Sequence, residues 1–214
     1  TLSSSSAASD VYKRQALLSH IDKMNTKKKT VSSLKNHFLL AMPGLEDPNF
    51  SRSVVYLCEH TEDGAVVLII NQQMDIPINA IFKQMDLIYN EDCGETFIFD
   101  GGPVARDRGF ILHPTVSKVW ESTIAICKDI SLTASKDILS DIAIGEGPKN
   151  AIVTLGYSSW SAGQLEEELA SNTWLTIPSN SAIIFDTASH RRASAAASSI
   201  GLDLDMLSSD MGHA

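Results

Sequence analysis

Ala151-Ile152-Val153-Thr154-Leu155-Gly156-Tyr157-Ser158-Ser159-Trp160-Ser161-Ala162-Gly163-Gln164 runs from an apolar, β-branched segment through a glycine-rich polar block into a helix start. The first five residues read as a strand, and the block after them reads as a shaped turn at its end. Ser161 and Gln164 have the spacing of a capping box, with Trp160 and Leu165 placed as its hydrophobic staple. On the helix that follows, Leu165 and Leu169 share a face, while Glu166, Glu167 and Glu168 form a solvated acidic face suited to a helix N-terminus. Asn172 is its expected terminator.

A second block, Gly101-Gly102-Pro103-Val104 through Gly109-Phe110-Ile111-Leu112-His113, repeats the pattern after the strand-like Phe97-Ile98-Phe99-Asp100. Further strand candidates are Asn36–Met42, Ser53–Cys58, Ala65–Ile70 and Ser122–Cys127. The second and third are expected to pair antiparallel through the connection Glu59-His60-Thr61-Glu62-Asp63-Gly64. Short helices are expected after Pro77, with Ile78, Ile81, Phe82 and Met85 inward, and over Ile138, Leu139 and Ile142, ending at Gly145. Apolar runs Trp174–Ile177 and Ala182–Phe185 follow the capped helix, and one or two short helices broken by Gly201 are expected between Ala193 and Leu207. Strand pairs alternating with brief helices fit an α+β fold better than a regular nucleotide-binding α/β repeat.

With 214 residues and 43% apolar content the chain can build a substantial core. Residues 31–214 are read as one compact domain, or two closely joined subdomains. Residues 1–30 are read as a disordered tail or cloning remnant, with a plausible native start at Met24, because the serine-rich start has no structural period and Lys27-Lys28-Lys29 lacks interleaved aromatics. No apolar stretch reaches the roughly 20 residues that span a bilayer, and three cysteines without CxxC spacing suit a reducing compartment, so the expected address is cytoplasmic, away from membranes. The net charge is -9; residues 1–30 carry six basic and two acidic residues, which leaves 11 basic against 24 acidic, or -13, for the rest. That balance disfavours direct nucleic-acid binding.

Catalytic grammar is weak. Ser158, Ser159 and Ser161 lie outside a nucleophile elbow. Cys58 and His60 would share one strand face, but a buried thiol beside an edge histidine is the simpler reading. Asp100, Asp107 and His113 lack the spacing of a metal site, and no cofactor is implied. The strongest ligand idea is an anion nest at the amides of Gly101 and Gly102, supported by Arg106 and Arg108. Candidate partner- or anion-binding residues are therefore Gly101, Gly102, Arg106, Arg108, His113, Tyr157, Trp160 and Gln164, with no catalytic residue and no metal ligand assigned.

Taken in order, Asn36-His37-Phe38-Leu39 with Ala41-Met42-Pro43, the Phe50–His60 segment, Gly101-Gly102-Pro103-Val104 with Arg108-Gly109-Phe110 and Leu112-His113, Gly156-Tyr157 with Trp160 and Ala162–Glu166, Trp174, Ile184-Phe185-Asp186 and the terminal Gly212-His213-Ala214 closely resemble the YqgE/AlgH family of uncharacterised bacterial proteins. The resemblance covers about Leu34 to Ala214. It implies a bifurcated mixed, largely antiparallel sheet with several short helices, and it supplies no catalytic residues. The family is linked by name to alginate production and labelled a transcriptional regulator, although this chain has neither a clear helix-turn-helix nor a basic recognition face. Ser158-Ser159, where relatives commonly carry Ala-Gly, and Val67, where they often carry glycine, depart from the pattern. The expected function is a cytoplasmic binding or regulatory-accessory protein meeting an unknown protein or a small anionic ligand, in an oligomeric state the sequence leaves open. The alternatives are a direct DNA-binding regulator or an unrecognised hydrolase-like enzyme.

Overall fold

Two strands that are buried on both faces organise the molecule. In the computed structural model, which describes residues 33–91 and 96–204, β2 (Val54–Thr61) and β3 (Gly64–Ile69) are buried along nearly their whole length. Their alternate side chains feed different cores, as strand geometry requires. Val54, Tyr56, Val66 and Leu68 face one side, and Val55, Leu57, Val67 and Ile69 face the other. The expected antiparallel pairing of the two is present, from Val55 opposite Ile69 to Thr61 opposite Gly64.

The remaining strands are β1 (His37–Ala41), β4 (Gln73–Pro77), β5 (Phe97–Asp100), β6 (Val104–Pro114), β7 (Thr123–Ala125), β8 (Ile130–Thr133), β9 (Ile152–Ser161) and β10 (Trp174–Pro178). The order β10-β1-β2-β3-β9-β6-β8-β7 forms the main path of a ten-stranded sheet, with β4 and β5 joined to β9 beside it. The sheet forks at β9. Its second half pairs antiparallel with β3 from Ser158 to Ser161, whereas Thr154 and Leu155 in its first half pair parallel with Phe99 and Asp100 of β5. Long β6 runs antiparallel to β9 on both sides of the fork. The fold is thus α+β with a mixed, largely antiparallel, bifurcated sheet.

Among the described residues five helices cover the faces: α1 (Ile78–Gln84), α2 (Lys136–Ile144), α3 (Gln164–Ala170), α4 (Ser181–Phe185) and α5 (Arg192–Ser199), the last entered through a 3-10 turn at Ser189–Arg191. Helices α4 and α5 close the first core through Ile183, Ile184, Ala196 and Ala197. The second core holds Leu165 of α3 with Trp160 and Trp174, whose rings meet edge-on at 5.6 Å, while Phe50 stacks on Trp160 at 5.8 Å. The third packs Ile78 and Phe82 of α1 and Ile138, Leu139 and Ala143 of α2 onto Ile98, Ile111 and Val153 of the sheet. Ile81 and Met85 join this cluster, so the inward face expected after Pro77 is the face that packs.

Several local expectations change. The block Gly156–Ser161 is strand, because β3 supplies a ladder partner for each residue from Ser158 onward. Likewise only Gly101–Pro103 is a turn, and β6 begins at Val104. The connection expected between β2 and β3 is shorter, since Glu59, His60 and Thr61 continue β2. Strands β4 and β8 were not expected, and Ala182–Phe185 falls within a helix begun by Asn180, whose side chain accepts from the Ala182 amide at 2.9 Å. Helix α3 starts from Gly163 at φ 79 with no side-chain cap. Only half of the expected box forms: Gln164 Oε1 reaches back to the Ser161 amide at 3.2 Å, and the staple pair Trp160–Leu165 packs. Asn172 leaves the helix at φ 54, and Gly145 ends α2 in the left-handed region at φ 83. The readings of residues 1–30, Cys93 and the terminal Gly212-His213-Ala214 fall outside the described residues.

Candidate functional site

The two glycine-rich blocks meet at the fork. The Gly101 N–H donates to Leu155 O at 2.8 Å, and the Gly101 carbonyl accepts from the Ile69 amide at 3.1 Å, tying β3 to the turn after β5. The Gly102 N–H donates to Asp100 Oδ1 at 3.2 Å. Both glycines are buried. Their amides are therefore committed to the fold, and the anion nest read there does not form. What requires glycine is backbone approach: a Cβ on Gly101 would lie 2.2 Å from Gly156 O, and one on Gly156, at φ 75, would lie 2.3 Å from Gly102 O.

Beside this lock β6 bulges. Val104 pairs with Tyr157 and Gly109 with Leu155, so Ala105, Arg106, Asp107 and Arg108 stand opposite the single residue Gly156. Ala105 takes the left-handed conformation at φ 51, a strain that non-glycine residues seldom carry and that concentrates at functional sites. Bulges of this kind re-aim side chains. Here the bulge carries Arg106, Asp107 and Arg108 to the rim of a cleft of about 310 Å³ between α1, α2 and the sheet. Ile81, Met85, Leu139, Ile111, Val153 and Leu155 provide its apolar lining, and Gln84, the buried Ser135 and Lys136 complete it.

The charges on this rim are held differently. Arg106 forms an ion pair with Asp100 on the surface, and Lys136 Nζ donates to Met85 O at 2.8 Å, fastening the start of α2 to the end of α1. Arg108 is half-buried and makes no ion pair or hydrogen bond among the described residues. Its field acts on Tyr157, whose pKa burial raises and Arg108 partly lowers. Tyr157 is itself half-buried, edge-on to Phe110 at 5.5 Å.

The other sequence candidates lie elsewhere. His113 is buried: its Nδ1–H donates to Pro114 O at 2.8 Å, and Nε2 accepts from Thr133 Oγ1 at 2.8 Å. Burial lowers its pKa, so it is a neutral core histidine. Trp160 is buried in the second core. Gln164 is exposed but engaged with Ser161 and with Glu168, to which its amide donates at 3.1 Å. Asp100, Asp107 and His113 are not brought together as a metal site, and no group of three metal-ligating side chains occurs among the described residues.

The acidic face of α3 is not simply solvated. Glu168 accepts from Trp174 Nε1 at 2.8 Å, and Glu166 accepts from His60 Nε2 at 2.9 Å while His60 Nδ1 accepts the Leu34 amide at 3.0 Å. A bulge between Leu57 and Glu59 turns His60 toward α3 and leaves Cys58 in the first core, so the shared face expected for the two is lost. Burial pushes the Cys58 thiol pKa up, which leaves it protonated without a paired base. Sequence reasoning missed Lys136 and the groove walls; the legible signal was the alternating Arg106-Asp107-Arg108, too polar for an ordinary half-buried strand.

A family model described as AlgH-like matches residues 38–205. A UPF0301 protein of Saccharophagus degradans is 49% identical over 182 residues, covering 85% of this chain and 89% of that protein. A UPF0301 protein of Chromohalobacter salexigens is 47% identical over 184 residues, covering 86% of this chain and all of that one. The solution structure of the AlgH protein from Pseudomonas aeruginosa superposes with a TM-score of 0.72 at 42% identity, covering 88% of this chain and 100% of that chain. A Corynebacterium diphtheriae protein of known structure shares the fold at 16% identity and TM-score 0.66, over 87% of this chain and 97% of its own.

Proposed function

The chain belongs to the AlgH-like family of uncharacterised bacterial proteins, and from that premise we propose that it is a cytoplasmic binding or regulatory-accessory protein that works by holding a ligand or partner at the bulge of β6. The observation that carries this reading is a half-buried Arg108, without an ion pair or hydrogen bond among the described residues, raised by a strained bulge to the edge of an apolar cleft. A guanidinium in such surroundings gains more from an incoming anion than a solvated one does, because the local dielectric is lower. Among the described residues no helix is long and apolar enough to cross a membrane.

Amide chemical-shift mapping tests the reading. The labelled protein is titrated separately with the small-molecule and macromolecular fractions of a bacterial lysate. Shifts concentrated on Arg106–Phe110, the end of α1 and the start of α2 are expected from one fraction, reduced by Arg108→Gln. Shifts confined to other surfaces, or none from either fraction, refute it.

A further inference from the structure

We propose that the groove beside the β6 bulge takes a monoanionic amphiphile, a carboxylate carrying a compact apolar body, with Arg108 as the residue that holds the head group. This deepens the binding role proposed above and rests on it. Size comes first. At roughly 30 Å³ per water, a cleft of about 310 Å³ holds on the order of ten waters, which fits one small molecule and sits at the low end of ligand pockets.

Charge narrows the class. Arg106, Arg108 and Lys136 bring positive charge to the rim, while Asp107 on the bulge and Asp100, paired with Arg106, return negative charge. Asp137, the next acid, is engaged by Ser135 Oγ, the Ile138 amide at 3.0 Å and the Glu121 amide at 2.9 Å. These hydrogen bonds leave the Asp137 carboxylate charged, so the three cations and three acids around the cleft balance, and what the site offers is local: Asp100 is spent on Arg106, and Arg108 is the cation without an ion-pair partner among the described residues. A doubly charged phosphate would bring one charge more than Arg108 can pair and would face Asp107, whereas a single carboxylate pairs with Arg108 alone and matches the guanidinium fork. Leu139, Ile81, Ile111, Val153 and Leu155 make most of the lining apolar, and the Ser135 hydroxyl that also lines it is already donated to Asp137, so the rest of the ligand is predominantly apolar.

Octanoate, octanamide and octyl phosphate are the probes, titrated into the full chain and into Arg108→Gln, with amide spectra reporting both fold and location. Octanoate is expected to move the resonances of Arg106–Phe110 and of the facing ends of α1 and α2. Octanamide, which has the same body without the charge, binds at least about tenfold more weakly, the factor carried by a charge-assisted hydrogen bond. Arg108→Gln brings octanoate down to the level of octanamide and leaves octanamide unchanged, and octyl phosphate binds no tighter than octanoate. Equal binding of octanoate and octanamide in the groove, or undiminished octanoate binding by Arg108→Gln, overturns the carboxylate assignment while the groove remains a binding site. Tighter binding of octyl phosphate overturns the monoanion assignment. If no probe moves a groove resonance, the amphiphile proposal fails, and the lysate mapping separately decides whether the groove binds anything.

Discussion

Replacing Gly156 with alanine tests the lock at the fork, and two companion variants separate its causes. At Gly163, φ is 79 and nothing lies within 4 Å of an added Cβ, so Gly163→Ala incurs only the left-handed backbone cost of about 1–2 kcal/mol, partly offset by the roughly 0.4–1 kcal/mol gained from a stiffer unfolded chain. Gly101 has no such φ, but its Cβ would stand 2.2 Å from Gly156 O and 2.8 Å from Thr154 Oγ1. Overpacking against a backbone oxygen costs about 1–3 kcal/mol, and displacing the Gly101 bonds to Leu155 and Ile69 adds about 1 kcal/mol. Gly156 combines both mechanisms, with φ 75 and Gly102 O at 2.3 Å, so Gly156→Ala is expected to cost about 2–5 kcal/mol. That is a large share of a total near 5–15 kcal/mol and corresponds to a fall in Tm of roughly 10 °C. Urea unfolding at constant m-value measures all three. The expected order is Gly163→Ala least, Gly101→Ala intermediate and Gly156→Ala most destabilised. A Gly156→Ala variant no less stable than Gly163→Ala would refute the interlock.

Other expectations follow from single contacts. The Ser158 hydroxyl is buried with no partner among the described residues, so Ser158→Ala is expected to leave stability unchanged or raise it by about 1 kcal/mol in urea melts. Glu59 is buried and its carboxylate meets Lys35 Nζ at 2.8 Å; Lys35→Met is expected to cost about 3 kcal/mol, and adding Glu59→Gln to recover at least half of it in a double-mutant cycle. Burial keeps His113 neutral, with a pKa below 6.5, so the unfolded chain takes up its proton first as pH falls. Stability from this group is complete above about pH 6.5 and is lost below it by at most about 1.4 kcal/mol per pH unit, and His113→Gln is expected to flatten that part of the stability–pH profile. The Cys58 thiol, buried and raised in pKa, is expected to resist a disulfide reagent until the protein unfolds; rapid labelling of the native state at Cys58 would contradict its placement.

Much of the fold was legible because apolar runs and turn residues agree locally. Ser53–Cys58 and Ala65–Ile70 announced the central hairpin, and Pro77 and Gly145 marked helix boundaries that the structure keeps. The polar block Gly156–Ser161 misled because its residues are small and hydrophilic, while its strand character comes from a ladder partner nearly a hundred residues earlier in the chain. Likewise a bulge at Leu57–Glu59 reverses which face His60 occupies, and nothing in Cys58-Glu59-His60 announces it. At the site, sequence singled out Arg106 and Arg108 but assigned them to a nest of amides that the fold had already used. His113 and Trp160 are conspicuous as residue types and are conspicuous in the structure as core.

The fork explains why the site stands where it does. Strand β9 must pass from one neighbour to another at Gly156, since β5 lies beside Thr154 and Leu155 and β3 beside Ser158 onward. At that residue the backbones of Gly101, Gly102 and Gly156 fill the space that side chains would occupy. Strand β6, running past on the other edge, cannot keep register with a partner bent in this way, and it discharges the mismatch in the four residues Ala105–Arg108. The bulge is therefore anchored at both ends by ladder bonds and backed by an interlocked turn, which gives its arginines a rigid base rather than a loose loop. Binding groups held on such a base lose little freedom when a ligand arrives. Loosening the lock is then expected to weaken the groove before it unfolds the protein: Gly101→Ala, at temperatures where it remains folded, should bind octanoate more weakly than wild type although none of its altered atoms lines the cleft. Unchanged affinity in a folded Gly101→Ala protein would separate the lock from the site and leave the bulge to hold its own shape.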